Sequence, residues 1–141
     1  MNNYPLKKNQ DIELEITGIT TEGSGVGHYD GIAVFVPNTA TGDVIDCHII
    51  KTKKNYAIGK IKSILKASKD RIIPDCEVFS RCGGCAFRHI NYTAECEMKK
   101  QRVIDAFARI GHIDITPDGI LRSGRENRYR NKAQYPVREE N

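Results

Sequence analysis

The pattern that most constrains this chain is the strict alternation of Gln10-Asp11-Ile12-Glu13-Leu14-Glu15-Ile16-Thr17, polar and apolar with period two. Such alternation describes a strand with one wet face, here with Ile12, Leu14 and Ile16 turned inward. A single strand of this kind is not stable alone, so the sequence around it must supply partners. It does. Val26-Gly27-His28-Tyr29 and Ile32-Ala33-Val34-Phe35-Val36 flank Asp30-Gly31, the dipeptide suited to the positive backbone angles of a type I′ hairpin. Pro37 to Gly42 is a turn cluster, after which Asp43 to Lys51 and Tyr56 to Leu65 read as two more strands joined at Lys53-Lys54-Asn55. Five short strands with tight turns predict a small closed barrel. Barrels of this size often bind single-stranded nucleic acid on one face.

Thr21-Glu22-Gly23-Ser24-Gly25-Val26-Gly27 places three glycines in five positions. The backbone there is free to bend or to approach another group closely, which serves either function or tight packing.

Beyond Ser68 to Pro74, which reads as a linker, the texture changes. From Tyr92 to Ile110 the apolar residues Cys96, Val103, Ile104, Phe107 and Ile110 recur at helical spacing. Asn91 is placed to cap this helix and Gly111 to end it. Ala133-Gln134-Tyr135-Pro136-Val137 reads as the first strand of a further unit. No pattern repeats at a fixed period.

Charge is segregated along the chain. Net charge is +4 over 141 residues, but residues 1 to 50 carry two basic and seven acidic side chains, and residues 51 to 71 carry eight basic groups against Asp70 alone. Residues 122 to 138 add Arg122, Arg125, Arg128, Arg130, Lys132 and Arg138 against Glu126. Two basic stretches around a near-neutral middle suit a phosphate backbone, whereas scattered lysines on a solvated surface are the plainer reading. The longest aliphatic or aromatic run is Ile32 to Val36, far below the roughly 20 apolar residues that span a bilayer. The residues from Met1 to Lys8 contain no apolar stretch resembling a secretion signal, so a cytoplasmic location is expected.

Of the five cysteines, Cys76, Cys82 and Cys85 fall in one loop, with Gly83-Gly84 between the last two, while Cys47 and Cys96 stand apart. In a reducing compartment such a cluster points to a metal or cofactor site rather than to disulfides. The glycines remove bulk so that backbone amides can face sulfur, and Arg81 and Arg88 would help keep the thiols ionised. Structural zinc sites usually pair two short ligand loops, and only one is present here. The looser spacing of five and then two residues favours an iron–sulfur cluster, with zinc and a Cys82–Cys85 redox pair as the competing readings. No fourth ligand stands out. Cys96 lies on the apolar helix face, Cys47 sits in an alternating strand, and His89 could reach a metal, although a lone histidine at a helix entry is more often a capping or surface group.

The stretch Cys76-x5-Cys82-Gly83-Gly84-Cys85-x3-His89-Ile90-x-Tyr92, followed by a helix with Lys99 or Lys100 and Val103, resembles the iron–sulfur region of bacterial RNA (uracil-5-)-methyltransferases. In that family a small barrel called the TRAM domain precedes the cysteine loop. Asp11 to Leu65, with Gly23-x-Gly25-x-Gly27 and Phe35-Val36-Pro37, is similar to it, and Asn127 to Val137 resembles the segment leading into the central domain.

The resemblance implies an enzyme that moves a methyl group from S-adenosylmethionine to carbon 5 of a uridine, in 23S ribosomal RNA for members with the cluster. It implies a 4Fe-4S cluster held by Cys76, Cys82 and Cys85, with a fourth cysteine beyond Asn141. The catalytic cysteine and the cofactor domain would also lie beyond Asn141, leaving these residues inactive alone. Neither Cys47 nor Cys96 matches the nucleophile motif.

The expected architecture is therefore a mainly β, OB-like five-stranded barrel at residues 1–67, a linker at 68–75, and a small α+β cysteine-rich region with one amphipathic helix at 76–141. RNA would be gripped by Lys51, Lys53, Lys54, Lys60 and Lys62 on the barrel and by Arg125, Arg128 and Arg130 near the cysteines. A monomer is expected, with no membrane partner. The alternatives are a free-standing RNA-binding protein with a zinc or iron–sulfur knuckle, and a zinc-stabilised interaction module of the translation machinery.

Overall fold

The computed structural model describes residues 5–132, 134 and 137. The strand expected over Ala133 to Val137 rests on Ala133, Tyr135 and Pro136, which lie outside the described residues, as does Arg138.

Six strands form one sheet: β1 (Asp11–Glu15), β2 (Gly18–Ile19), β3 (Gly25–Tyr29), β4 (Ile32–Val36), β5 (Val44–Thr52) and β6 (Tyr56–Lys66), in the order β1-β5-β6-β4-β3-β2. All pairings are antiparallel except β4 with β6. The expected barrel of five strands is corrected on count and on closure. The first stretch is two strands, because the chain changes partner at Ile16-Thr17: the Ile16 N–H donates to the Asp43 carbonyl (2.8 Å) and the Thr17 N–H to that of Val26 (2.8 Å). The two ends of the sheet are thus successive pieces of one segment, and no ladder joins them.

The hairpin between β3 and β4 follows its dipeptide. Asp30 (φ 46°) and Gly31 (φ 81°) both take positive angles, and Tyr29 faces Ile32 across the last rung. Inside the curl of the sheet, Ile12, Leu14 and Ile16 pack with Val34, Val36, Ile45, Cys47, Ile49, Ala57 and Leu6. Each large aliphatic buried this way contributes about 1.5–3 kcal/mol.

Two helices follow: α1 (Phe79–Cys82), a single turn ended by Gly83 in the left-handed region (φ 68°), and α2 (Tyr92–Ala106). Asn91 caps α2 as expected, its side-chain oxygen accepting from the Ala94 N–H (2.8 Å). The ending differs. A π-type turn spans Phe107–Gly111, and His112, not Gly111, takes the left-handed angle (φ 52°). The apolar stripe is also only partly used: Cys96 is buried, whereas Val103, Phe107 and Ile110 are exposed.

Residues 68–72 are tied to both parts. Arg71 bridges to Ile90, the Ile72 N–H donates to the His89 carbonyl (2.9 Å), and the Asn91 N–H donates to that of Asp70 (2.9 Å). Among the described residues no helix is long and apolar enough to cross a membrane.

Candidate nucleic-acid interface and cysteine loop

Strand alternation sorts the side chains of β4 and β6. With Val34, Val36 and Ala57 fully buried, their neighbours Ala33, Phe35, Tyr56 and Ile58 fall on the outer face. The register sets Tyr56 beside Ala33, Phe35 beside Ile58, and Lys51 across from Ile58, the last because the β5–β6 ladder shifts between Ile49 and Lys51. Phe35 and Tyr56 meet edge to face, with ring centroids 5.6 Å apart and planes at 82°.

Lys60 lies on the same outward row of β6, and Lys53 and Lys54 occupy the turn entering it, closed by the Lys53 N–H donating to the Tyr56 carbonyl (2.8 Å). Lys51, Lys53, Lys54 and Lys60 are exposed and pair with no carboxylate among the described residues.

Lys62 is different. It binds Asp11 at 2.6 Å and Asp46 at 3.4 Å, and Asp11 also holds His48 Nδ1 at 2.6 Å. Hydrogen bonds from Lys62 and then His48 hold the Asp11 carboxyl below its usual range, and the same carboxylates raise Lys62. Its charge is engaged by two carboxylates at the surface, whereas the neighbouring lysines have no such partner among the described residues. The two rings beside those lysines were missed by counting charge, although the alternation around Phe35 already turned it away from Val34 and Val36.

The arginines lie elsewhere. Arg125, Arg128 and Arg130 are exposed in the irregular segment after α2, with Arg128 at a positive φ of 55°. Arg130 lines a cleft of about 530 Å³ together with Tyr129, Glu126, Asp75, Cys85 and Arg88.

In the cysteine loop, Cys76 is half-buried and Cys82 and Cys85 are exposed. Gly83 supplies the left-handed turn, and a Cβ on Gly84 would sit 3.3 Å from the Cys82 sulfur, so both glycines have steric reasons. The loop also leans on the barrel, since a Cβ on Gly23 would come within 2.8 Å of the Ala86 Cβ. Arg88 grips Asp75 through two hydrogen bonds (2.7 and 2.9 Å) rather than serving the thiols alone. Its pKa is raised first by Asp75, with smaller contributions from nearby Cys85 and Cys76.

His89 is turned away from metal binding. It is buried, its Nε2–H donates to the Thr39 carbonyl (2.9 Å), and its Nδ1 has no partner among the described residues. Among the described residues no three His, Cys, Asp or Glu side chains are gathered so as to hold a metal ion. In this arrangement the three thiols are not drawn together, so a shared centre would require the loop to close.

Residues 5–62 match the family model of the TRAM domain. An uncharacterized RNA methyltransferase of Listeria monocytogenes is 45% identical over 134 residues, 94% of this chain and 29% of that protein. One of Clostridium tetani is 39% identical over 136 residues, 96% of this chain and 30% of that protein. The chain thus spans about 30% of the length of these relatives. Among solved structures, a tRNA (uracil-54, C5)-methyltransferase of Pyrococcus abyssi with S-adenosyl-L-homocysteine superposes with a TM-score of 0.45 and 22% identity, over 72% of this chain and 22% of that one. Residues 5–62 match a TRAM domain, and along nearly its whole length the chain is similar in sequence to bacterial proteins named RNA methyltransferases.

Proposed function

We propose that these residues are the RNA-binding part of an S-adenosylmethionine-dependent RNA (uracil-C5)-methyltransferase acting on 23S ribosomal RNA in the cytoplasm. The observation that carries this is the alignment of 94% or more of the chain with relatives named RNA methyltransferases. The TRAM match and the unpaired lysines of the β5–β6 turn support RNA as the partner. The uracil-C5 and ribosomal assignments rest on the cysteine pattern and its resemblance.

Methyl transfer and S-adenosylmethionine binding belong, in this reading, to the longer protein. Cys47 and Cys96 are both buried within these residues and take no nucleophile role. Cys76, Cys82 and Cys85 are proposed as three ligands of a 4Fe-4S cluster, which requires the loop to draw its thiols together with a fourth donor from outside. Iron and sulfide analysis after anaerobic reconstitution tests that part, and stoichiometric zinc without sulfide would overturn it.

The RNA assignment is tested with the chain itself. Fluorescence anisotropy with a labelled ribosomal RNA fragment should give affinity falling linearly with salt on logarithmic axes. Replacing Lys53 and Lys54 with alanine should weaken binding and flatten the slope by about 0.7 for each lost phosphate contact. An unchanged slope would remove the two lysines from the interface, and no binding at low salt would sink the RNA assignment.

A further inference from the structure

We propose that Phe35 and Tyr56 form a stacking site for an unpaired RNA base, with Lys51, Lys53, Lys54 and Lys60 meeting the phosphates on either side. This rests on the RNA-binding reading and adds to it the form of RNA that the sheet accepts.

The sheet's core does not call for aromatics here. It is completed on the other side of the sheet by Val34, Val36 and Ala57, all fully buried, and Phe35 and Tyr56 face away from it. Tyr56 keeps 38% of its surface accessible. Two rings stacked in parallel would cover each other's faces. At 82° one ring turns only its edge to the other, so its faces are not covered by its partner and can take a further flat group. A nucleobase is such a group, and stacking on aromatics is how sheets of small barrels hold single strands.

The charges around the pair select for a polyanion. Lys53 and Lys54 stand in the turn just before Asn55 and Tyr56, Lys51 stands across from Ile58 beside Phe35, and Lys60 continues the same row. On the same outward face, toward β1, Asp11 and Asp46 are paired with Lys62, and Asp11 also with His48, which stands across from Lys60. Cation and ring are therefore adjacent, and these two carboxylates already hold counter-charges. Duplex RNA hides its base faces in the helical stack, so this arrangement discriminates in favour of loops and unpaired strands.

The test compares three labelled RNAs of equal length by anisotropy: a single strand, the same strand with its central bases removed, and a duplex. Wild-type chain should bind the single strand at least about tenfold more tightly than the abasic strand, the loss expected for a missing base stack. Tyr56→Leu and Phe35→Leu should each lower affinity for the intact strand by about tenfold while leaving the abasic strand and the salt slope unchanged. Tyr56→Phe should bind like wild type, because it keeps the ring. Equal binding of intact and abasic strands, or a Tyr56→Phe loss as large as that of Tyr56→Leu, overturns the stacking site and leaves RNA binding standing. Failure of the wild-type chain to bind any of the three RNAs removes the RNA-binding reading itself. The abasic comparison and Tyr56→Phe leave the fold unperturbed, so the outcome does not depend on whether the leucine variants fold.

Discussion

Arg71 donates to both carboxylate oxygens of Asp43, a residue with no exposed surface that sits 28 positions earlier in the chain. The remaining capacity of that carboxylate is filled by the N–H groups of Ala40 (2.7 Å) and Ser68 (2.8 Å). One side chain thus fastens the turn after β4, the end of β6 and the segment carrying the cysteine loop. Burial works to raise the Asp43 pKa, but Arg71 and the two amides outweigh it and hold the group below its ordinary 3.8.

Removing the carboxylate strands Arg71 in a largely buried place. Asp43→Ala should cost about 3–5 kcal/mol in urea unfolding at pH 7. Because the folded pKa is depressed, this contribution is intact above the unfolded value and is lost as pH falls below about 4 through the folded one. Wild type should therefore show a steeper acid limb than the variant. A loss below about 1 kcal/mol would mean that the pair does not hold the two parts together.

His89 acts in the same direction at higher pH. Burial lowers its pKa from 6.5, and the charge of nearby Arg71 adds to this against the Thr39 carbonyl and Asp43. The folded state therefore favours the neutral ring. Its contribution is complete above pH 6.5 and declines as pH falls toward the folded value. Wild type should lose stability between pH 7 and pH 5, and His89→Gln, which keeps a donor for Thr39, should lose less over the same interval. Parallel curves for the two proteins would remove His89 as the source.

The strands were legible because their information is local. Ile12, Leu14 and Ile16 alternate, and Asp30-Gly31 carries its turn angles in its own chemistry. The handover at Ile16-Thr17 was not legible, since it depends on Asp43 and Val26 arriving on opposite sides. Helical spacing placed Val103, Phe107 and Ile110 on a stripe, but spacing does not say what covers a stripe. Counting charge grouped Lys62 with its neighbours, while its partners Asp11 and Asp46 come from other strands. For the cysteines, proximity in sequence does not set the loop's geometry: the one-turn helix α1 and the Asp75–Arg88 pair shape it, and no metal-holding group is gathered there among the described residues.

The glycines of the β2–β3 region show how a permissive residue can be a packing requirement. A Cβ on Gly25 would lie 1.8 Å from the Thr39 hydroxyl oxygen and 2.9 Å from the Ile16 side chain. That hydroxyl is buried and held by its bond to the Val36 carbonyl (2.8 Å), so it does not swing aside freely. Gly25→Ala should destabilise by at least about 1–3 kcal/mol, the usual cost of overpacking. Gly18, with nothing within 4 Å of its would-be Cβ, serves as the control, and Gly18→Ala should be near neutral. Equal effects in thermal or urea unfolding would show that close packing at Gly25 is not what selects glycine.

The five thiols should separate into three kinetic classes. Cys47 is fully buried beside Gly59, and burial, followed by the charges of Asp46 and Asp11, pushes its pKa up to about 11. Thiolate is the reactive form, so at pH 8 Cys47 is both inaccessible and protonated. Cys96 is buried as well, whereas Cys82 and Cys85 are exposed and Cys76 is half-buried. A chromogenic disulfide reagent at pH 8 should label Cys82 and Cys85 fast, Cys76 more slowly, and Cys47 and Cys96 only after denaturant is added. The same experiment after anaerobic iron–sulfide loading examines the cluster proposal site by site. Protection of Cys76, Cys82 and Cys85 together would show that the loop closes around a centre. Unchanged labelling of these three in loaded protein would show that it stays open, and the cluster assignment would then fall.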